Sequence, residues 1–454
     1  MDSPTVKHPR KAEKHSAVAI GRRFLRSTLT HNIASLYGTQ IAAYLFPLLA
    51  VPYLARVLGV YTWGLVAFAQ AFGAYVYLLV DFGFNLSATR DVSRHREDRN
   101  RLSDVLAGVL GAKSVLALLC IVATFALQHW VRQFRENPLL LWSAIVMGIA
   151  QAYSMIWYYQ GLERMKTSSA IDIASKAAGL LGIFLLVHSP AHAWRVLGIQ
   201  AIASLAGTGV LMVLAYREVP FRLPSARGTW QTMRMGGSTF LLRSAVSLYT
   251  TANVIIVGFF ASPVAVGYYS GAEKLTRGFL SLMGPVSLSL YPRLTHLIKH
   301  AQAQAVRLAR LSFIFMGVCG TALAVLLWLA APLVVRVILG PKFLPAVPVV
   351  RILCVLLPAV ATSNVIGIQW MLPCGLDKEC NRIVLGAGVL NCILACALAP
   401  HLGAIGVSIA VAVTEVCVTG GLYVLLTRRK MNPFRMTKSL EEVVFSIRLN
   451  QVQP

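Results

Sequence analysis

The chain has 454 residues, of which 57% are apolar and 13% charged, against about 25% charged in ordinary soluble domains. With a mean hydropathy of +0.66, this composition excludes a water-soluble protein, and the unit of organisation is one membrane span of ~20 residues. The 42 Lys and Arg exceed the 17 Asp and Glu to leave a formal charge of +25, but these charges lie between the apolar runs, which points to membrane topology and not to nucleic acid.

In chain order, residues 1–32 form a basic tail (Lys7, Arg10, Lys11, Lys14, Arg22, Arg23, Arg26) without the short apolar core and cleavage site of a signal peptide. Apolar runs of spanning length then recur at 33–53, 64–82, 104–127, 138–159, 169–188, 194–215, 237–260, 270–290, 311–331, 349–371, 383–399 and 403–427. They predict an all-α polytopic membrane protein of about twelve transmembrane helices. The ~10-residue alternating segments of an outer-membrane barrel do not occur. A basic linker at 216–236 divides the chain into a lobe of six helices at 33–215 and another at 237–427, followed by a tail at 428–454. Such a division is what an internal duplication leaves. An offset of 203 aligns Gly64 with Gly267, Ala69 with Ala272, Leu79 with Leu282 and Arg90 with Arg293, four matches that alone barely exceed chance.

Thirty of the 42 Lys and Arg fall in the two tails and the even-numbered loops, and six (Arg56, Arg132, Arg135, Arg195, Arg336, Lys342) in the opposite set. Retention of positive charge in the cytoplasm therefore places both termini there, with anionic membrane lipid as a partner.

Charges inside spans are costly and mark cavities or partners. Asp172 and Lys176, and likewise Glu273 and Arg277, are four apart and can neutralise each other within a helix. Lys113 lies too deep for easy snorkelling, and Arg243 and Glu415 have no local partner. With Lys274, the basic members outnumber the acids, so a cavity between the two lobes is expected to be electropositive and to suit an anionic passenger. Asp81 is read either as an ion-exchanging group or as a cap at the interface. Aromatics such as Tyr77, Trp157, Tyr158, Tyr159 and Tyr269 could stack on sugars, but membrane-interface anchoring is the preferred reading.

No catalytic constellation accompanies these charges. Asp81-Phe82-Gly83 and Gly111-Ala112-Lys113-Ser114 imitate fragments of kinase and phosphate-loop motifs without their companions. Cys374 and Cys380 lack a metal-ligand spacing, and Glu136 is the only acid clearly in an outer loop. A non-enzymatic protein without cofactor or metal is expected. The alternatives weighed are a membrane polymerase or ligase, and a drug exporter, which would need an acidic cavity.

The stretches Ser35-Leu36-Tyr37, Gln40, Pro47-Leu48-Leu49 and Pro52 to Gly59, then Trp63-Gly64 and Asp81 to Arg90, resemble bacterial O-antigen flippases. These form the polysaccharide-transport branch of the multidrug/oligosaccharidyl-lipid/polysaccharide exporter superfamily. Tyr159 to Lys166, Ala272 to Leu275 and Leu290 to Leu294 are similar to later signatures of that family. The resemblance implies two six-helix lobes around a cationic cavity of alternating access in the bacterial inner membrane. It implies an undecaprenyl-diphosphate-linked oligosaccharide as passenger, moved to the periplasmic leaflet, with a polymerase and a chain-length regulator as partners. Carried onto this chain, Arg56, Lys113, Arg243, Lys274 and Arg277 are the anion contacts, and Asp81, Glu273 and Glu415 the groups that couple transport to H+ or Na+. Neutralising Lys113 or Arg243 is expected to abolish the surface polysaccharide without lowering the protein level.

Overall fold

A computed structural model describes residues 28–434, with side chains described from Leu45 onward except at a few positions that include Pro47, Arg243 and Pro285. Most of the N-terminal basic tail, residues 435–454 of the C-terminal tail and the side chain of Arg243 thus lie outside the described residues. Among the described residues there is no strand.

The first two predicted runs form a single element, α1 (Thr28–Asp81), bent at Gly59 (φ 71, ψ 172). The last two form α16 (Asp377–Arg428), bent at Gly403 (φ 53, ψ −126). Glycine adopts positive φ without a Cβ clash, so each pair of spans turns with almost no loop.

Between them lie α2 (Phe84–Arg94), α3 (Arg99–Trp130), α4 (Arg132–Glu136), α5 (Pro138–Ala152), α6 (Ile156–Gly161), α7 (Met165–Leu186) and α8 (Ala193–Glu218). After the linker come α9 (Ala226–Thr250), α10 (Ala252–Phe260), α11 (Pro263–Ser281), α12 (Gly284–His300) and α13 (Gln302–Ile338). The series closes with α14 (Val347–Leu353), α15 (Leu356–Asn364) and a π-helical turn at Val365–Met371 before α16.

The expected helix at 270–290 is displaced. It starts at Pro263, where the Ser262 hydroxyl accepts from the Ala265 amide at 3.3 Å, and it breaks at Leu282–Met283. A proline in the first turn and a serine cap set the start regardless of where hydropathy peaks.

Eight of the described helical stretches are long and apolar enough to cross a membrane. Leu118, Leu119, Val122 and Phe125 on α3 and Leu326, Leu329 and Leu333 on α13 are exposed, as a lipid-facing surface requires. By contrast α2 is amphipathic, burying Phe84, Ala88 and Val92 at intervals of four with Arg90 and Arg94 outside.

The halves meet where α1 crosses α11. A Cβ on Gly64 would overlap the Pro263 carbonyl oxygen, and one on Gly267 would overlap the Val60 carbonyl oxygen. At the opposite end of the bundle α3 crosses α9, with Gly108 against Thr232 and Gly111 against Thr229, and Phe82 stacks on Phe240 at 4.5 Å.

Candidate functional site

A cavity of about 700 Å³ opens among α1, α2 and α5 to α8, with Lys274 of α11 contributed from the other half. The expectation of a cavity between the two lobes is corrected in part. Among the described residues its wall belongs mainly to the N-terminal half.

Two helical stripes build that wall. On α7, Asp172, Ser175, Lys176 and Gly179 line the cavity, and on α8, Gln200, Ser204, Gly207 and Thr208 do, so each presents a small and polar face at helical spacing. Gly207 lets α8 lie directly against Ser175. On α1, Trp63 and Gln70 line the same space, while Gln151 from the end of α5 and Trp157 and Gln160 from α6 complete it.

Lys274 is the sequence-predicted cation that reaches this wall. Its Nζ donates to Gln70 Oε1 at 3.1 Å and lies 4.5 Å from the centre of the Trp63 ring, a cation–π distance. Neither partner is charged.

The other basic candidates with described side chains, Arg56, Lys113 and Arg277, are placed elsewhere. Arg56 donates to the Val337 carbonyl oxygen, at the Gly59 end of the bundle. Lys113 is 1% exposed and stands behind the wall, with Nζ donating to the Ala152 carbonyl oxygen at 2.5 Å, 4.0 Å from Asp81 Oδ1 and 5.8 Å from the Trp157 ring centre. Arg277 pairs with Glu273 at 2.9 Å, and Glu415 lies within its electrostatic reach.

Of the eight candidates the fold therefore groups Glu273, Arg277 and Glu415 on one side and Asp81 with Lys113 on another. Among the seven candidates with described side chains, Lys274 alone lines the cavity. One chamber lined by Arg56, Lys113, Lys274 and Arg277 together is not what the fold makes. The cause lies in backbone carbonyls and acids that become neighbours only on folding.

The intrahelical pairs expected from spacing form, with Lys176 donating to Asp172 Oδ2 at 2.7 Å. Asp172 and Lys176 nonetheless line the cavity, which spacing alone did not indicate; the stripe of Asp172, Ser175, Lys176 and Gly179 was the available signal. The interfacial reading of the aromatics is corrected as well. Trp157, Tyr158 and Tyr269 are at most 1% exposed, and Tyr77 and Trp157 line the cavity. Trp63 and Trp157 each hold a buried indole N–H that has no acceptor among the described residues.

A second, more open space of about 700 Å³ shares Asn85, Leu86 and Gln160 with the first and adds Arg90 and Thr239. It lies at the end of the bundle where Phe82 meets Phe240, and it gives the cavity a mouth with Arg90 and Glu163 at its rim. Arg90 belonged to the quoted resemblance but not to the site candidates.

A family model described as polysaccharide biosynthesis protein matches residues 29–298. Two relatives named "Putative O-antigen transporter" are each 28% identical to this chain. That of Escherichia coli (strain K12) aligns over 89% of this chain and 98% of its own length, and that of Shigella dysenteriae over 85% and 97%. Among solved structures the fold is similar to one titled lipid II flippase MurJ, inward closed conformation, with TM-score 0.69 and 14% identity over 93% of this chain and 94% of that one. It is also similar to a mutant of the Vibrio cholerae MATE transporter VcmN, with TM-score 0.55 and 13% identity over 92% and 98%.

Proposed function

The chain belongs to the family of polysaccharide biosynthesis proteins, and from that membership we propose that it is a flippase for a lipid-linked polysaccharide repeat unit. It moves an undecaprenyl-diphosphate-linked oligosaccharide from the cytoplasmic to the periplasmic leaflet of a bacterial inner membrane. The observation that carries this reading is a cavity of apolar and polar lining enclosed by apolar spans, with one cation held against an amide and an indole and, among the described residues, no carboxylate bonded to it. The names of the two relatives support the same activity.

The physical problem is the head group. Each polar group taken into hydrocarbon without a partner costs about 2–7 kcal/mol, so sugars and diphosphate need a polar path while the prenyl tail stays in lipid. Arg90 at the mouth meets the diphosphate first, and Lys274 receives it within. The amides and hydroxyls of the wall replace water around the sugars.

Twelve spans follow when each bent helix counts as two, when α5–α6, α9–α10, α11–α12 and α14–α15 count as one each, and when the short α2 and α4 are left out. A pseudo-two-fold relation between two six-helix lobes is supported by the crossing of α1 and α11. Gly64 lies against Pro263 and Gly267 against Val60, and both correspondences, Gly64 with Gly267 and Val60 with Pro263, have the same offset of 203. A reciprocal contact of this kind is the mark of a two-fold axis. The charge distribution along the loops supports cytoplasmic termini, which places the mouth with Arg90 on the cytoplasmic side.

Return of the empty cavity requires a bias between two access states. The group Glu273–Arg277–Glu415 and the pair Asp81–Lys113 are the ion-coupling candidates, with H+ or Na+ as driver. The membrane potential supplies ~2.3 kcal/mol per charge per 100 mV.

The test is Lys274→Gln in cells that depend on this protein for surface polysaccharide. The expected result is loss of the long glycan with normal protein level and accumulation of lipid-linked units in the inner leaflet. An unchanged glycan ladder would refute the role of Lys274.

A further inference from the structure

The lining of the cavity also bears on which sugars it takes. Among the described residues its charged members are Asp172, Lys176 and Lys274, and the first two neutralise each other at 2.7 Å. The rest of its polar surface is amide and hydroxyl, with Gln70, Gln151, Gln160 and Gln200 arriving from four different helices.

A primary amide both donates and accepts, as a sugar hydroxyl or N-acetyl group does. A carboxylate bonded to an ammonium on one oxygen keeps its second oxygen as a strong acceptor, and the ammonium keeps two donors. Among the described residues Asp172 Oδ1 has no other partner. The pair thus matches adjacent hydroxyls while adding no net charge. An acidic sugar would instead place its carboxylate beside the Asp172 carboxylate, whose charge already offsets that of Lys176.

Resting on the flippase reading, we propose that this cavity selects uncharged sugars, and that the Asp172–Lys176 pair is the determinant that reads them and rejects acidic ones. Lys274 serves the diphosphate, whatever glycan it bears.

The experiment titrates the detergent-solubilised full-length protein with three probes: bare undecaprenyl diphosphate, the same lipid carrying N-acetylglucosamine, and the same lipid carrying glucuronic acid. Affinity is read from tryptophan fluorescence, since Trp63 and Trp157 lie in the wall. The wild type should bind the N-acetylglucosaminyl lipid about tenfold more tightly than the bare lipid, the scale of one hydrogen bond to a charged group, and the glucuronyl lipid no more tightly than the bare one.

Asp172→Asn, which leaves Lys176 uncompensated, should reverse the order of the two glycosylated lipids. Lys176→Gln should remove the gain for the neutral sugar. Both variants should keep the elution profile and melting temperature of the wild type in detergent, which separates a lost reader from a damaged fold. If Asp172→Asn fails to fold, the more exposed Lys176→Gln carries the same test. An order of affinities identical in all three proteins, or a wild-type preference for the glucuronyl lipid, overturns the proposal. Binding of none of the three lipids overturns the flippase reading itself, and this proposal with it.

Discussion

Lys113 illustrates how a buried cation is decided by its neighbours. Helix α5 ends at Ala152, where the Tyr153 and Ser154 amides serve the Ile149 and Gln151 carbonyls, and a cation beside the last carbonyls is favoured by the helix dipole. The ammonium of Lys113 meets the Ala152 oxygen and faces Asp81, which makes it a structural tie between α1, α3 and α5. The depth of Lys113 was legible in the sequence, but its partner, 39 positions away, was not. Removing one member of a buried pair costs about 3–5 kcal/mol. Lys113→Met should therefore lower protein level and thermal stability in detergent, contrary to the expectation from sequence of lost glycan at unchanged level. Joining it to Asp81→Asn should cost less than the sum of the single changes. Additive losses would show that the two side chains do not act as a pair.

Cys374 makes the same point at a position outside the spans. It lies in a stretch that reads as a polar loop, yet it is buried and free, and burial pushes its thiol up to about 12. The thiolate is the reactive form. Labelling by a maleimide at neutral pH should be negligible in the folded protein and should rise only as the pH approaches 12 or on unfolding. Rapid labelling of Cys374 at pH 7 would contradict its burial.

The helices themselves were largely readable, because spanning length and apolar content act on each run separately. What hydropathy could not place were the junctions. Gly59 and Gly403 turn two expected loops into bends, and Ser262-Pro263 moves the start of α11 well ahead of its apolar centre. The crossing of α1 with α11 was visible only as the faint match of Gly64 with Gly267. It gained meaning when the fold laid the two glycines against each other's helices. Overpacking of this kind costs about 1–3 kcal/mol, so Gly64→Ala should force the ends of α1 and α11 apart and lower the Tm. In a background without native cysteines, Ser154→Cys in the cavity should then become accessible to an impermeant thiol reagent from the Gly59 end of the bundle. An unaltered Tm and unaltered labelling would show that the crossing closes nothing.

Across the whole molecule, the composition announced a membrane bundle and the resemblance its passenger, but neither located the cavity. Net charge suggested a broadly cationic chamber, whereas the described wall has a single cation without a bonded acid, set among amides and aromatics. Charges counted along a chain report topology. Which of them face a common space depends on helix rotation and on the carbonyls left open at helix ends, and a hydropathy profile contains neither. The division of labour between Lys274 for phosphate and the amide wall for sugar emerges only in three dimensions.

The most direct test of that arrangement is transbilayer movement itself. Full-length protein reconstituted into vesicles with a fluorescent undecaprenyl-diphosphate oligosaccharide is assayed by dithionite bleaching, wild type beside Lys274→Gln at equal incorporation. The wild type should move the lipid across the bilayer, and Lys274→Gln should slow it by about tenfold or more, the scale of one lost charge-assisted contact. Equal rates in the wild type, the variant and protein-free vesicles would contradict the account.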